Sequence, residues 1–126
     1  MEKDYLFVYG NEKRRGADHS LLEKAEFVGE AAIHGTLYDL GIEMPGVVEG
    51  ARGLVHGELY LAGGKILAEL DSYAGADPKV PDSVFARTEV EAILADRSKV
   101  RAWAYLLTDE KLQLFFAFPL KEGKWN

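Results

Sequence analysis

Tyr5-Leu6-Phe7-Val8-Tyr9-Gly10 is a continuous apolar and aromatic run that stops at a glycine. A short run of this kind, bounded by a turn residue, reads as a strand buried on both faces. The stretch that follows, Asn11 to Gly16, is polar and closed by a second glycine, so it reads as a loop. The end of this strand exposes several backbone N–H groups in one place. Such a nest holds a carboxylate or phosphate, although a glycine there also serves merely to permit a tight turn.

Beyond the loop, Asp18 caps a short helix running to Ala25, with Leu21, Leu22 and Ala25 facing inward. Gly29 breaks that pattern. Ala31 to Leu40 reads as a strand, with Gly35 allowing a bulge or a close approach. After a loop containing Pro45, Val47-Val48-Glu49 forms a short strand. Leu54 to Leu61 alternates: Val55, Leu59 and Leu61 share one face, and His56, Glu58 and Tyr60 the other. Gly63-Gly64 turns the chain into a helix over Lys65 to Tyr73, with Ile66, Leu67, Leu70 and Tyr73 on one face and Gly75 as its stop. Residues 76–83 form a proline-containing loop. Val84 to Leu94 alternates again, Asp96 to Lys99 is a hairpin turn, and Val100 to Leu107 is the returning strand.

This gives about six strands and two helices, without an internal repeat or a linker. The expectation is a single α+β domain over residues 1–126, a mostly antiparallel curled sheet or barrel with helices at its side. The tail carries Leu112, Leu114, Phe115, Phe116 and Phe118. That much apolar surface packs back on the domain or meets a partner, such as a second copy in a homodimer.

With 126 residues, 48% of them hydrophobic, the chain has material for a core without staples. Its formal net charge of −6 disfavours nucleic acid as the main partner. The absence of cysteine excludes disulfides, thiolate zinc sites and a cysteine nucleophile together. The charged start, MEKD, lacks the apolar core of a signal peptide, and no window approaches about 18 consecutive apolar residues. A cytoplasmic protein with no membrane partner is the simplest expectation.

Several residues carry chemical potential. Lys13-Arg14-Arg15 is a basic cluster in an acidic protein, either steering an anion toward the Tyr9-Gly10 turn or simply solvated. Arg87, on the same strand face as Phe85, either clamps a ligand carboxylate or pairs structurally with Asp71 or Glu89. The histidines are His19, His34 and His56. His56 and Glu58 share a strand face, but two ligands do not make a metal site. Neither a metal nor a cofactor is expected.

Taken together these pieces resemble the γ-glutamylcyclotransferase-like (AIG2-like) family. The resemblance begins with FVYGNEKRRG (residues 7–16), where the family has F-x-Y-G-[ST]-L-x-x-G. It continues through HSLLEKAEFVGEA (19–31), GTLYDLG (35–41), VHGELYL (55–61), ELDSYAGADP (69–78), SVFAR (83–87), RAWAYLL (101–107) and the closing EGKWN. No single piece is specific, but their order and spacing are. The resemblance implies a closed six-stranded β-barrel with flanking short helices. It implies a pocket at the Tyr9-Gly10 turn, built with Asn11, Glu12, Tyr73, Phe85 and Arg87, for a γ-glutamyl or other small carboxylate ligand. The family reaction is intramolecular: the α-amine of a γ-glutamyl group attacks its own γ-carbonyl, giving 5-oxoproline and a free amine. One glutamate takes the proton from the ammonium and returns it to the leaving amine.

The sequence departs from the family at that point. Where the family has L-D-x-x-E-G, this chain reads Leu70-Asp71-Ser72-Tyr73-Ala74-Gly75, so the glutamate position is Ala74. Asn11-Glu12 stands where the family has Ser/Thr-Leu, and Phe85 replaces the tyrosine of Y-x-R. Three functions follow as expectations. The first is a diverged cyclotransferase in which Glu12 or Asp77 replaces the missing acid. The second is a non-catalytic module that binds a small anion or a γ-glutamyl group. The third is an interaction protein that uses its apolar tail.

Overall fold

The computed structural model describes residues 3–10, 13, 19–74, 76 and 83–125. Asn11, Glu12, Arg14, Arg15, Asp18, Gly75 and Asp77 lie outside the described residues. Along the chain come β1 (Lys3–Val8), a short 3-10 turn (His19–Leu22), β2 (Glu26–Asp39), β3 (Pro45–Gly63) and α1 (Gly64–Tyr73). They are followed by β4 (Ala86–Leu94), β5 (Lys99–Leu106), α2 (Asp109–Leu112) and β6 (Phe118–Pro119).

The sheet runs β3-β1-β5-β4-β2-β6, and β2 also pairs with β3. That extra pairing closes a ring of five strands, while β6 adds to β2 outside it through Tyr38↔Pro119 and Asp39↔Phe118. The expected barrel is therefore present, but with five strands in the ring rather than six. All pairings are antiparallel except β1 with β5, which are parallel and meet at Leu6↔Trp103.

The difference in count comes from β3. The two segments read as separate strands, Val47–Glu49 and Leu54–Leu61, both pair with β2. Gly35 pairs with Glu49 and the preceding His34 with Leu54, so residues 50–53 are passed over between successive partners, as in a large bulge. Gly35 is where the two backbones crowd: a Cβ there would lie 2.8 Å from Val48 O. Gly29 also does not end an element. It sits within β2 at a second register shift, between Phe27 and Gly29. The helix expected to Ala25 is only one 3-10 turn. Among its residues Leu22 alone is buried, too little apolar surface to hold a longer helix.

Alternation along the strands fills two cores. Inward side chains, among them Phe7, Ile33, Val55, Leu59, Ala92 and Ala104, fill the barrel. Outward ones, including Leu6, Val8, Tyr60, Phe85 and Tyr105, lie with Leu67 and Leu70 of α1 in a second cluster. This explains why β1 has no polar face, and why Tyr60 is only 1% exposed although it alternates with His56 and Glu58. Leu67 and Leu70, three apart on α1, are the helix's anchor, worth roughly 1.5–3 kcal/mol each if fully buried. In the tail, Thr108 caps α2 by accepting the Lys111 N–H at 3.2 Å. Phe115 packs partly on the outer cluster, whereas Leu114, Phe116 and Phe118 stay exposed. The tail thus packs on the domain only in part. Among the described residues no helix is long and apolar enough to cross a membrane.

Candidate functional site

Four elements converge beside the end of β1. Tyr9 follows β1, Met44 and Pro45 open β3, Tyr73 and Ala74 close α1, and Phe85 leads into β4. With Tyr105 of β5 they line a cavity of about 30 Å³. Ala74 is the helix cap: its N–H donates to Leu70 O at 2.8 Å, and its backbone stays right-handed (φ −80, ψ −5). Ala74 therefore stands in the pocket wall, at the position where the resemblance leads one to expect a glutamate.

Of the residues expected at the site, Tyr9, Tyr73, Ala74 and Phe85 are brought together. Gly10 is adjacent in the turn, its carbonyl accepting the Lys13 N–H at 3.1 Å. Asn11, Glu12 and Asp77 fall outside the described residues, so the nest and both replacement acids do too. Tyr73 does not join α1's buried stripe. It is 44% exposed and stands at the rim.

Arg87 resolves toward the structural alternative. Its Nε lies 3.3 Å from Asp71 Oδ1, and its guanidinium sits 5.0 Å from the centre of the Trp103 ring. Asp71 is 8% exposed, and its Oδ1 also accepts the Tyr105 hydroxyl at 2.7 Å. Glu89 pairs instead with Arg101 at 3.1 Å. The Tyr9 hydroxyl donates to Tyr105 O at 2.6 Å, tying the end of β1 to the neighbouring β5. These bonds fix Tyr9 and Tyr105 as rigid walls.

Chemically the cavity is aromatic with a few polar tips. Among its described lining residues there is no carboxylate. Met44, Pro45 and Tyr105 were not singled out in the sequence. Tyr105 carries a signal in retrospect, a polar-tipped aromatic on the same strand face as Trp103, alternating with Ala102 and Ala104. Among the described residues, no group of three or more His, Asp or Glu side chains could hold a metal ion.

Similarities to known proteins point to one family. A Vibrio cholerae protein named provisionally as a gamma-glutamylcyclotransferase is 41% identical over 68 residues, 52% of this chain and 57% of that protein. The Escherichia coli gamma-glutamylcyclotransferase family protein YtfP is 38% identical over 68 residues, 53% of this chain and 58% of its own length. The match thus spans little more than half the length of these relatives. Among solved structures, an AIG2-like protein from Mus musculus superposes with a TM-score of 0.79 at 21% identity, covering 100% of this chain and 90% of that one. That last likeness is one of fold. The model of the family described as gamma-glutamyl cyclotransferase, AIG2-like, matches residues 6–126. By that match, across nearly its whole length, the chain belongs to the AIG2-like gamma-glutamyl cyclotransferase family.

Proposed function

We propose that this chain is a γ-glutamylcyclotransferase-like ligand-binding domain that does not carry out the cyclisation. The reaction moves a proton twice. The α-ammonium of the γ-glutamyl group must lose one before its nitrogen attacks the γ-carbonyl, and the departing amine must gain one as the amide bond breaks. One group within hydrogen-bond reach of both nitrogens is needed.

The observation that carries this reading is Ala74. A methyl group occupies the position of the proton carrier, and no carboxylate stands among the described lining residues. Asp71, one turn back on α1, is held by Tyr105 and Arg87. The Tyr9 hydroxyl donates to Tyr105 O and the Tyr105 hydroxyl to Asp71 Oδ1, so both protons are already engaged within the wall. Ligand binding is supported by the surviving aromatic walls. Tyr73, half-exposed, stands in the wall of this cavity.

The test is release of 5-oxoproline from a γ-glutamyl amine, with the unmodified chain and Ala74→Glu side by side. The unmodified chain is expected at background, and Ala74→Glu about 10²–10⁴ above it. Calorimetry with the same compound is expected to show binding to both. Turnover by the unmodified chain would overturn the loss of chemistry, and absence of binding would overturn the ligand role.

A further inference from the structure

Four aromatic residues line the small cavity at Ala74: Tyr9, Tyr73, Phe85 and Tyr105, with Met44 beside them. We propose that this cavity is a cage for a methylated ammonium group, a cation that carries no N–H. The inference rests on the reading of the cavity as a binding site without proton transfer, and it names the chemical class of the group that enters.

The four residues come from separate parts of the chain and are held differently. Tyr9, Phe85 and Tyr105 are buried, whereas Tyr73 is half-exposed at the rim. The Tyr9 hydroxyl donates to Tyr105 O and the Tyr105 hydroxyl to Asp71 Oδ1, which fixes where both side chains sit. The inner wall is therefore preformed. An aromatic ring carries a negative quadrupole on its face and attracts a cation set over it, more strongly where water is excluded. Several rings around one space add their attraction, and cages of this kind suit quaternary ammonium groups.

The chemistry of the wall selects among ligands. Among the described lining residues there is no cationic side chain to answer an anion. The Arg87 guanidinium is paired with Asp71 and lies over Trp103, which is not one of the cavity's residues. The formal net charge of −6 favours the approach of cations over anions. A primary ammonium brings three N–H donors, each of which needs an acceptor once it leaves water. Ala74 offers only a methyl group, and among the described lining residues no carboxylate accepts them. A trimethylammonium group has no donor to leave unsatisfied, so the attraction of the rings suffices to hold it.

Choline is the probe, followed by amide NMR of the full chain at matched ionic strength. It is compared with dimethylbutanol, in which a neutral tert-butyl group replaces the trimethylammonium, and with ethanolamine, its primary-amine counterpart. Choline is expected to shift the signals of Tyr73, Ala74 and Phe85 with a Kd of about 1–10 mM. The two comparison compounds are expected to bind at least about fivefold more weakly. Tyr73→Leu should weaken choline about fivefold. Replacing Phe85 by a trifluorinated phenylalanine keeps a ring in place but drains charge from its face, and should weaken choline about threefold or more while leaving dimethylbutanol unchanged. Three results overturn the proposal: no shifts up to about 50 mM, dimethylbutanol or ethanolamine binding as tightly as choline, or fluorination without effect on choline. A γ-glutamyl amine, titrated alongside, separates the two readings of the site. If it binds and choline does not, the cage is overturned and the γ-glutamyl ligand stands; if choline alone binds, the cage stands and the γ-glutamyl ligand is overturned.

Discussion

Arg87 and Asp71 form the ion pair that joins α1 to the barrel wall, with Nε 3.3 Å from Oδ1, and the same guanidinium covers the Trp103 ring. Asp71 is buried near the end of its helix, so the pair locks the position of the turn that carries Ala74. Arg87→Gln is expected to cost about 1–3 kcal/mol, measured by urea denaturation, because a largely buried carboxylate keeps only the Tyr105 hydroxyl. Arg87→Lys should recover only part of this, since an ammonium lacks the flat surface that stacks on Trp103. If both variants unfold at the wild-type midpoint, the pair is not structural.

Gly57 sets the distance between β3 and β1. A Cβ on it would stand 2.2 Å from Val8 O and 2.7 Å from the Phe7 ring. Backbone cannot yield as a side-chain tip can, so Gly57→Ala forces the strand ends apart. The expected loss is about 3 kcal/mol, at the upper end of overpacking effects. It should also change the amide shifts of Tyr9 and Gly10, because Val8 leads into them. A variant as stable as the parent would contradict the register Val8↔Glu58.

The β4–β5 turn offers a pH readout. Two hydrogen bonds from Ser98, one from its hydroxyl and one from its backbone N–H, hold the Asp96 carboxyl below the usual carboxylate range. A depressed folded-state value means the contribution is complete above the ordinary value and is lost as pH falls through the depressed one. Ser98→Ala removes the larger cause and should move the Asp96 titration, followed by carboxyl NMR, upward toward the ordinary range. An unchanged titration would show that the hydroxyl bond does not form in solution.

Phe116 is 99% exposed, and Leu114 and Phe118 are exposed beside it in sequence. Phe116→Ser is therefore expected to change folding stability by no more than about 0.5 kcal/mol. Sedimentation of the two proteins tests whether this surface meets a second copy. If the parent associates and the variant does not, the tail is an interface, and identical monomers exclude that role for Phe116.

Much of this architecture was legible because the strands carry their environment in their composition. Tyr5–Tyr9 reads as buried on both faces and is covered on both, by the barrel core and by the cluster under α1. The joining of two segments into β3 was not legible, because Gly50 to Gly53 looks like an interruption and only pairing with β2 bridges it. Of the residues the family resemblance implies for the site, Tyr9, Ala74 and Phe85 come together at one cavity. Met44, Pro45 and Tyr105 arrive from distant segments, and no local pattern announces a wall built by closure of a barrel.

The single bridge Leu6↔Trp103 has a mechanical consequence. The β4–β5 hairpin meets β1 there, and meets β2 only at Ala31↔Leu94 and Ala32↔Ile93, while β2 and β3 are paired along nearly all of β2. Among the described residues, the ladder is thus long within each of two leaves and short at the two seams between them. Tyr9, Met44 and Pro45 belong to one leaf, and Phe85 and Tyr105 border or belong to the other. Amide hydrogen exchange is expected to open the seam residues before the interior of either leaf. The Tyr9 hydroxyl bonded to Tyr105 O and the Leu107 N–H bonded to Val47 O both run from one leaf to the other, so the width of the aromatic cavity is set by bonds between the leaves and not by either ladder alone.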